Sequence, residues 1–299
     1  MSMLSAIHLR KEYANVVAVD DVSLNVEGGE IFGLLGPNGA GKTTTIRMIM
    51  NIIAPDRGEV QFKGRAFDET ARNSFGYLPE ERGLYRKNRL LNTIVYFATL
   101  KGMTVAEAKR RAYDWLKRFD LLAYYDRKVE ELSKGNQQKV QFIISIIHDP
   151  ALVILDEPFS GLDPVNQILL KDILLELKQR GKALIFSTHM MEQAEKLCDK
   201  ICLISKGKVV LEGGLSEVKQ RFGTNTVQLE FDGDGSFLSK VRSVEHLILY
   251  ENTAEFEIGS QSGPGEILRE IAQRVNVKRF ELREPSLQSI FLKMVGHEG

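Results

Sequence analysis

Gly36-Pro37-Asn38-Gly39-Ala40-Gly41-Lys42-Thr43 is the stretch on which the reading of this chain turns. It fits the pattern G-x-x-x-x-G-K-[ST], and its flanks supply the context that pattern needs. Ile31 to Leu35 is a short apolar run that reads as a buried strand; Ile46, Ile49, Met50 and Ile53 repeat at helical spacing. In such a strand–loop–helix unit the glycines let backbone N–H groups turn inward around phosphate oxygens. The helix N-terminus adds partial positive charge. Lys42 is then placed to reach the β- and γ-phosphates, the Thr43 hydroxyl to hold Mg²⁺, and Thr44 to bond the α-phosphate. A lone match arises by chance in roughly one to two per cent of chains this long, so the weight falls on what stands around it.

Downstream, Leu152-Val-Ile-Leu-Asp-Glu157 is an apolar strand that delivers two carboxylates at its C-terminal edge. In a parallel sheet that edge lies beside the phosphate loop of a neighbouring strand. Asp156 reads as a Mg²⁺ holder through water, and Glu157 as the group that orients or deprotonates the attacking water. Phosphoryl transfer needs mostly positioning and charge neutralisation, so this set suffices. Ser187-Thr-His189 follows another apolar run, Ala183 to Phe186. A lone histidine is by default structural, but the end of a core strand makes His189 a candidate to bond the γ-phosphate and fix both the water and Glu157. ATP is favoured over GTP because no N-K-x-D segment follows. Tyr13, ahead of the first core strands, is a candidate to stack on adenine; the plain alternative is an ordinary surface or core tyrosine.

The chain has 299 residues, 43% hydrophobic and 27% charged, which implies a folded protein of one large domain or one plus a smaller one. Lys plus Arg equals Asp plus Glu at 40 each, so the basic excess of a general nucleic-acid binder is missing. Cys198 and Cys202 have neither zinc nor redox spacing and read as buried reduced thiols. Met1 to Ile7 lacks a basic region followed by a long apolar run, so no signal peptide is expected. The most apolar stretch, Val140 to Leu155, is broken by His148-Asp149-Pro150 and reads as buried helix, turn and buried strand rather than a membrane span.

The texture changes near residue 215. Before it, antiparallel patterns (Val16 to Val26, Gly58 to Phe62) precede alternating strand and helix patterns, with a mostly helical insertion at about 86–148 that includes helices over 104–121 and 133–147. After it, Val227, Leu229 and Phe231 alternate with polar residues, as do Ala254, Phe256 and Ile258, and then Phe280 and Leu282. Ile267, Leu268, Ile271 and Val275 are spaced as a helix. The expected organisation is an α/β nucleotide-binding domain over 1–215 and a small α+β domain over 216–299. The order in the latter is strand, helix, strand, strand, helix, strand, resembling a ferredoxin-like split βαβ unit. A final helix carries Leu287, Ile290, Phe291 and Met294, and His297 reads as solvated. Nothing in this second domain's side chains suggests a metal or a catalytic site.

One more motif completes the set. Leu132-Ser133-Lys134-Gly135-Asn136-Gln137 resembles LSGGQ, the signature of ABC transporter ATP-binding subunits. With the motifs above, the resemblance covers about residues 4–215. It departs from the family at Lys134 and Asn136 but keeps the Ser133 hydroxyl and the close-approach glycine, Gly135; taken alone, Ser133 is a good helix N-cap. The resemblance implies an ABC-type fold with a RecA-like parallel core. It also implies ATP and Mg²⁺ as cofactors and a head-to-tail homodimer, or heterodimer with a related subunit, sandwiching two ATP molecules. In that dimer Ser133 to Gln137 of one subunit act on the other's ATP, and Asp163 in Gly161-Leu-Asp163 links the two sites. Glu80 stands where the family usually has glutamine, at the loop that contacts Mg²⁺ and the membrane partner.

The run Gly76 to Tyr85, Asn136 and the tail Glu284 to Gly296 look like bacterial ABC-2-type exporters, with sodium-extrusion ATPases closest and drug-export ATPases sharing the layout. That likeness implies a separate integral-membrane permease that selects the cargo. It also implies a cytoplasmic location on the inner face of the membrane, and no nucleic-acid partner. A soluble relative acting on ribosomes or nucleic acid would fuse two ATP modules or insert a long coiled coil; neither feature is seen. A non-hydrolysing ATP-binding scaffold is disfavoured by intact Glu157 and His189. The second domain is left with dimer support, regulation or permease contact as candidate roles.

Overall fold

The computed structural model describes residues 2–81, 83–223, 225–259 and 263–296, so His297 lies outside the described residues. The chain divides into two compact units, 1–212 and 213–299.

The first unit opens with β1 (Ser2–Tyr13), β2 (Val16–Glu27), β3 (Ile31–Leu35), α1 (Lys42–Ile49), β4 (Arg57–Phe62), β5 (Arg65–Ala66), α2 (Glu69–Arg72) and β6 (Phe75–Leu78). The insertion follows as α3 (Leu90–Leu100), α4 (Val105–Arg118) and α5 (Lys134–Ile146). Then come β7 (Leu152–Asp156), α6 (Pro164–Gln179), β8 (Ala183–Thr188), α7 (Met191–Leu197), β9 (Lys200–Ser205) and β10 (Lys208–Gly214).

Every residue of β3, β7 and β8 is buried, as expected of parallel strands covered on both faces. They lie in a sheet of order β10-β9-β3-β8-β7-β6, in which β9, β3, β8, β7 and β6 run parallel. β1 and β2 alternate buried with exposed positions and join an antiparallel sheet of order β2-β1-β4-β5. The two sheets share one core: Leu4, Leu9, Val22 and Leu24 from the antiparallel part meet Ile46 and Ile49 of α1 and Leu34, Ile154 and Ile185 of the parallel part.

Two helices end earlier than their apolar spacing suggests. α1 stops at Ile49 because Met50 caps it and Asn51 turns left-handed (φ +51°); α4 stops at Arg118 because Asp120 does the same (φ +54°). Cys198 and Cys202 are free and buried, and burial pushes both thiols well up, which keeps them protonated and inert.

The second unit contains α8 (Leu215–Arg221), β11 (Thr226–Asp232), β12 (Val244–Leu249), β13 (Thr253–Ile258), α9 (Pro264–Ala272), β14 (Asn276–Arg283) and α10 (Leu287–Gly296). Its antiparallel order β12-β13-β11-β14 is that of a split βαβ unit. The first crossover differs from the sequence expectation: a short 3₁₀ stretch, Ser236–Lys240, replaces a helix. Asp232-Gly-Asp-Gly235 favours turns there, and Leu238 alone reaches full burial on that stretch. α8 is an element the strand-centred pattern did not contain.

Gly36 has φ +148°, and a Cβ there would stand 2.1 Å from the Ile204 carbonyl oxygen, whereas Gly39 (φ +78°) faces open space. Gly36→Ala is expected to lower the unfolding free energy by about 2 kcal/mol or more, from clash plus backbone strain. Gly39→Ala should cost about 1 kcal/mol from strain alone. Equal losses in urea denaturation would show that the loop is not held against β9 as described.

Candidate functional site

The loop between β3 and α1 wraps a cavity of about 340 Å³ lined by residues 38–44 with Ala18, Glu80 and Glu157. Lys42 Nζ donates to the Gly36 carbonyl (2.8 Å) and the Pro37 carbonyl (3.1 Å), closing the loop on its own lysine. Gly41 caps α1 at φ +109°, and a Cβ there would sit 2.5 Å from the Ala18 carbonyl oxygen, so β2 passes hard against the loop. No side chain caps the N-terminus of α1. Its first-turn N–H groups are therefore open to an anion, with the helix dipole behind them.

Glu157, just past the end of β7, lines this cavity, while Asp156, the last residue of β7, is not among its lining residues. Asp156 and Glu157 are buried, at 1% and 8% exposure. One Asp156 oxygen, Oδ1, accepts from the Ser187 hydroxyl, while Oδ2 is buried with no hydrogen-bond partner. Glu157 Oε1 lies 3.0 Å from His189 Nδ1 and 3.7 Å from Lys42 Nζ, and Oε2 lies 3.4 Å from the Thr188 hydroxyl. A carboxylate only accepts, so His189 Nδ1–H donates and Nε2 remains for another partner. The imidazole side chain is half exposed, at 49%. Glu157 itself is left-handed, φ +49°, a conformation that costs on the order of 1–3 kcal/mol in a non-glycine residue. The catalytic candidate is thus gripped at both oxygens and held in a strained backbone.

The signature residues lie elsewhere: among the described residues, none of Ser133, Lys134, Gly135, Asn136 or Gln137 lines the cavity. The Ser133 hydroxyl accepts from Asn136 N–H (3.2 Å) and caps α5. Asp163 caps α6 in the same way through Asn166 N–H (3.0 Å), which holds its carboxyl below the usual range. Gly135 approaches Gly161, whose carbonyl oxygen would lie 3.6 Å from an added Cβ. The signature loop and the Gly161 to Asp163 loop therefore stand side by side. Tyr13 is not among the cavity's lining residues either; it is 47% exposed at the end of β1, with Lys11 Nζ 5.6 Å from its ring centre.

Sequence reasoning passed over four contributors. Ser187 and Thr188, two-thirds of a motif read only for its histidine, hold the two carboxylates. Gln138 Nε2 donates to the Pro158 carbonyl (2.9 Å) and Gln141 Nε2 to the Glu81 carbonyl (3.3 Å), tying α5 to the loops after Glu157 and Glu80. Gln138 lies in the Gln-Gln-Lys-Val run that matches the family's signature helix, but neither its contact nor that of Gln141 could be read from the sequence.

Two family profiles match the chain: "ABC transporter" over residues 19–160 and "ATP-binding protein DrrA1-3-like, C-terminal domain" over 213–295. The uncharacterized ABC transporter ATP-binding protein YhaQ of Bacillus subtilis (strain 168) is 45% identical, covering 98% of this chain and 99% of that one. The linearmycin resistance ATP-binding protein LnrL of the same strain is 30% identical over 98% of each. A solved ATP-binding subunit of an ABC transporter superposes with a TM-score of 0.70 at 33% identity, covering 74% of this chain and 93% of that one. With that likeness along its length, with the phosphate loop and Glu157 lining one cavity, and with His189 bonded to Glu157 from outside the lining, the chain belongs to the ATP-binding subunits of ABC transporters and is an ATPase.

Proposed function

We propose that the chain is the motor subunit of an ABC-2-type exporter. In this reading it works as a head-to-tail dimer on the cytoplasmic face of the membrane and drives a separate permease that selects the cargo. The observation that carries the reading is the separation of the signature from its own nucleotide cavity. Ser133 and Gly135 are kept, yet they lie outside the site their own chain builds, as an arrangement completed by a second subunit requires. No helix among the described residues is long and apolar enough to cross a membrane, so the cargo path in this reading belongs to the permease. The end-to-end likeness to a protein named for linearmycin resistance supports small-molecule export. The sequence runs around Tyr85 and the tail keep an ion such as Na⁺ as the second cargo reading.

ATP with Mg²⁺ fits the residues present. Glu80 and Glu157 face the cavity against a single ammonium, Lys42, so a polyphosphate entering there needs a cation to offset the charge. Among the described residues no group of three or more His, Cys, Asp or Glu side chains forms a metal site. A metal here would take its remaining oxygens from phosphate and water, as Mg²⁺ ordinarily does. Thr43 and the unpartnered Asp156 Oδ2 would hold it, with Glu80 nearby; bound there, it would neutralise charge developing on the transferred phosphoryl group. On the protein's side, Lys42 exchanges loop carbonyls for phosphate oxygens, Glu157 orients the water, and His189 fixes Glu157. Tyr13 is retained as the adenine-stacking candidate, and Asp163 as the link between the two sites.

Coupling is assigned to the loop around Glu80. Beside it, Tyr77, Pro79, Leu84, Phe97, Leu100 and His148 line a second, mostly apolar cavity of about 240 Å³. Burial pushes His148 down to about 4, leaving it neutral and suited to an apolar contact. A permease segment seated there would act on α5 through the Gln141–Glu81 hydrogen bond.

Three outcomes are expected. Lys42→Ala should weaken ATP binding by about 100-fold or more, since a charge-assisted contact to phosphate is lost; unchanged affinity by calorimetry would sink the loop assignment. Glu157→Gln should keep nucleotide binding, lower kcat at least about 100-fold, and run as a dimer with MgATP in light scattering; a monomer contradicts the sandwich. That same variant, tagged and recovered from detergent-solubilised membranes, should carry a multispanning protein. Recovery only with ribosomes or nucleic acid would favour a soluble ATPase instead.

A further inference from the structure

Ser187 belongs to the buried acidic cluster, yet the ATPase reading leaves it without a task. It is completely buried, at 0% exposure, and the parallel pairing of β7 with β8 sets it level with Asp156. Its hydroxyl has one hydrogen to give, and gives it to Asp156 Oδ1. The Ser187 hydroxyl oxygen in turn accepts the backbone N–H of Glu157 at 3.1 Å, an N–H that also reaches the Ser187 carbonyl at 3.2 Å. A single hydroxyl therefore holds one acidic residue by its side chain and the next by its backbone.

Two consequences follow from that geometry. A carboxylate turns readily about its terminal torsion. Pinning Oδ1 fixes where Oδ2 points, and Oδ2 is the buried oxygen with no partner, a state that is costly unless something binds it. The bonds to Glu157 N–H also brace the left-handed turn (φ +49°) that carries its Oε1 to Lys42 and His189. Thr188, one residue on, differs: its hydroxyl lies 3.4 Å from Glu157 Oε2 and accepts from Met190 N–H (3.0 Å), so it has no bond to Asp156.

We propose that Ser187 is a positioning residue for the divalent cation, orienting the Asp156 carboxylate so that Oδ2 is presented to the metal bound with the nucleotide, and bracing the Glu157 backbone. The proposal rests on the ATPase reading. It predicts that metal affinity, rather than nucleotide affinity, responds to Ser187, and that Thr188 leaves metal affinity alone.

The test uses the full chain loaded with ADP and titrated with Mn²⁺, free Mn²⁺ being read by electron paramagnetic resonance. Ser187→Ala should raise the Mn²⁺ dissociation constant about 10- to 100-fold, the range seen when a group supporting a metal ligand is removed. ADP affinity measured in chelator should stay unchanged. Ser187→Thr, which keeps the hydroxyl, should restore metal binding, and Thr188→Ala should match wild type. Wild-type Mn²⁺ affinity in Ser187→Ala, or an equal loss of metal-free ADP binding, would overturn the proposal. If Ser187→Ala does not fold, Ser187→Cys takes its place; its thiol is a weak donor, and undiminished Mn²⁺ affinity in that variant would overturn it too. Absence of nucleotide-dependent Mn²⁺ binding in the wild type would instead sink the metal-dependent ATPase reading on which the proposal stands.

Discussion

Leu35 of β3 lies level with Thr188 of β8, and Ser187 of β8 lies level with Asp156 of β7. Everything the first unit does depends on that parallel register. It brings three strand ends to one height, so the phosphate loop leaves β3 where β7 delivers its carboxylates and β8 its histidine. A slip of one residue would turn each of these side chains to the other face of the sheet. The strands themselves are apolar and buried on both faces, with β8 between the other two, so it is the polar side chains at their ends that such a slip would misplace.

The register also creates an expensive interior. Lys42, Asp156 and Glu157 are all buried, and an isolated buried charge is strongly unfavourable. The cost is offset by dense pairing: two loop carbonyls and Glu157 for Lys42, the Ser187 hydroxyl for Asp156, and Lys42, Thr188 and His189 for Glu157. Groups fixed in this way need little rearrangement when charge develops in a reaction, which is the use of preorganised electrostatics in catalysis. The cluster is incomplete at one atom, Asp156 Oδ2, and that is the atom facing the chemistry in the proposed scheme.

The insertion is tied to this centre at a few points. Gln138 and Gln141, on the buried side of α5, bond the loops that follow the acidic strand and Glu80. Arg118 of α4 pairs with Glu176 of α6 (Nη1 to Oε2, 2.8 Å). A displacement at the loop around Glu80 thus has a bonded route to the signature helix, carried by backbone carbonyls rather than by charge. Such routes work through position, which suits the motor role proposed for this chain, whose output would be movement of one element against another.

Residue pattern alone marked the strand–loop–helix around Gly36 to Thr43, the apolar strand ending at Asp156, the strand before His189, the α/β order of the first unit and the succession of strands along the second. Each rests on local chemistry: glycines where the backbone must turn left-handed, apolar runs where strands are covered twice, alternation where they are covered once. Spacing was less reliable at helix ends, where Asn51 and Asp120 stop helices that apolar periodicity would extend. It also missed the crossover at Ser236–Lys240, where turn residues outweigh the helical pattern. Folding, not residue pattern, sets Ser187 and Thr188 on the carboxylates, ties α5 to the site through Gln138 and Gln141, and leaves Tyr13, the signature, Asp156 and His189 off the cavity lining. These features depend on which side chains meet across strands far apart in the chain. A hydroxyl or amide announces no partner in the sequence; its role is set by what folding places opposite it.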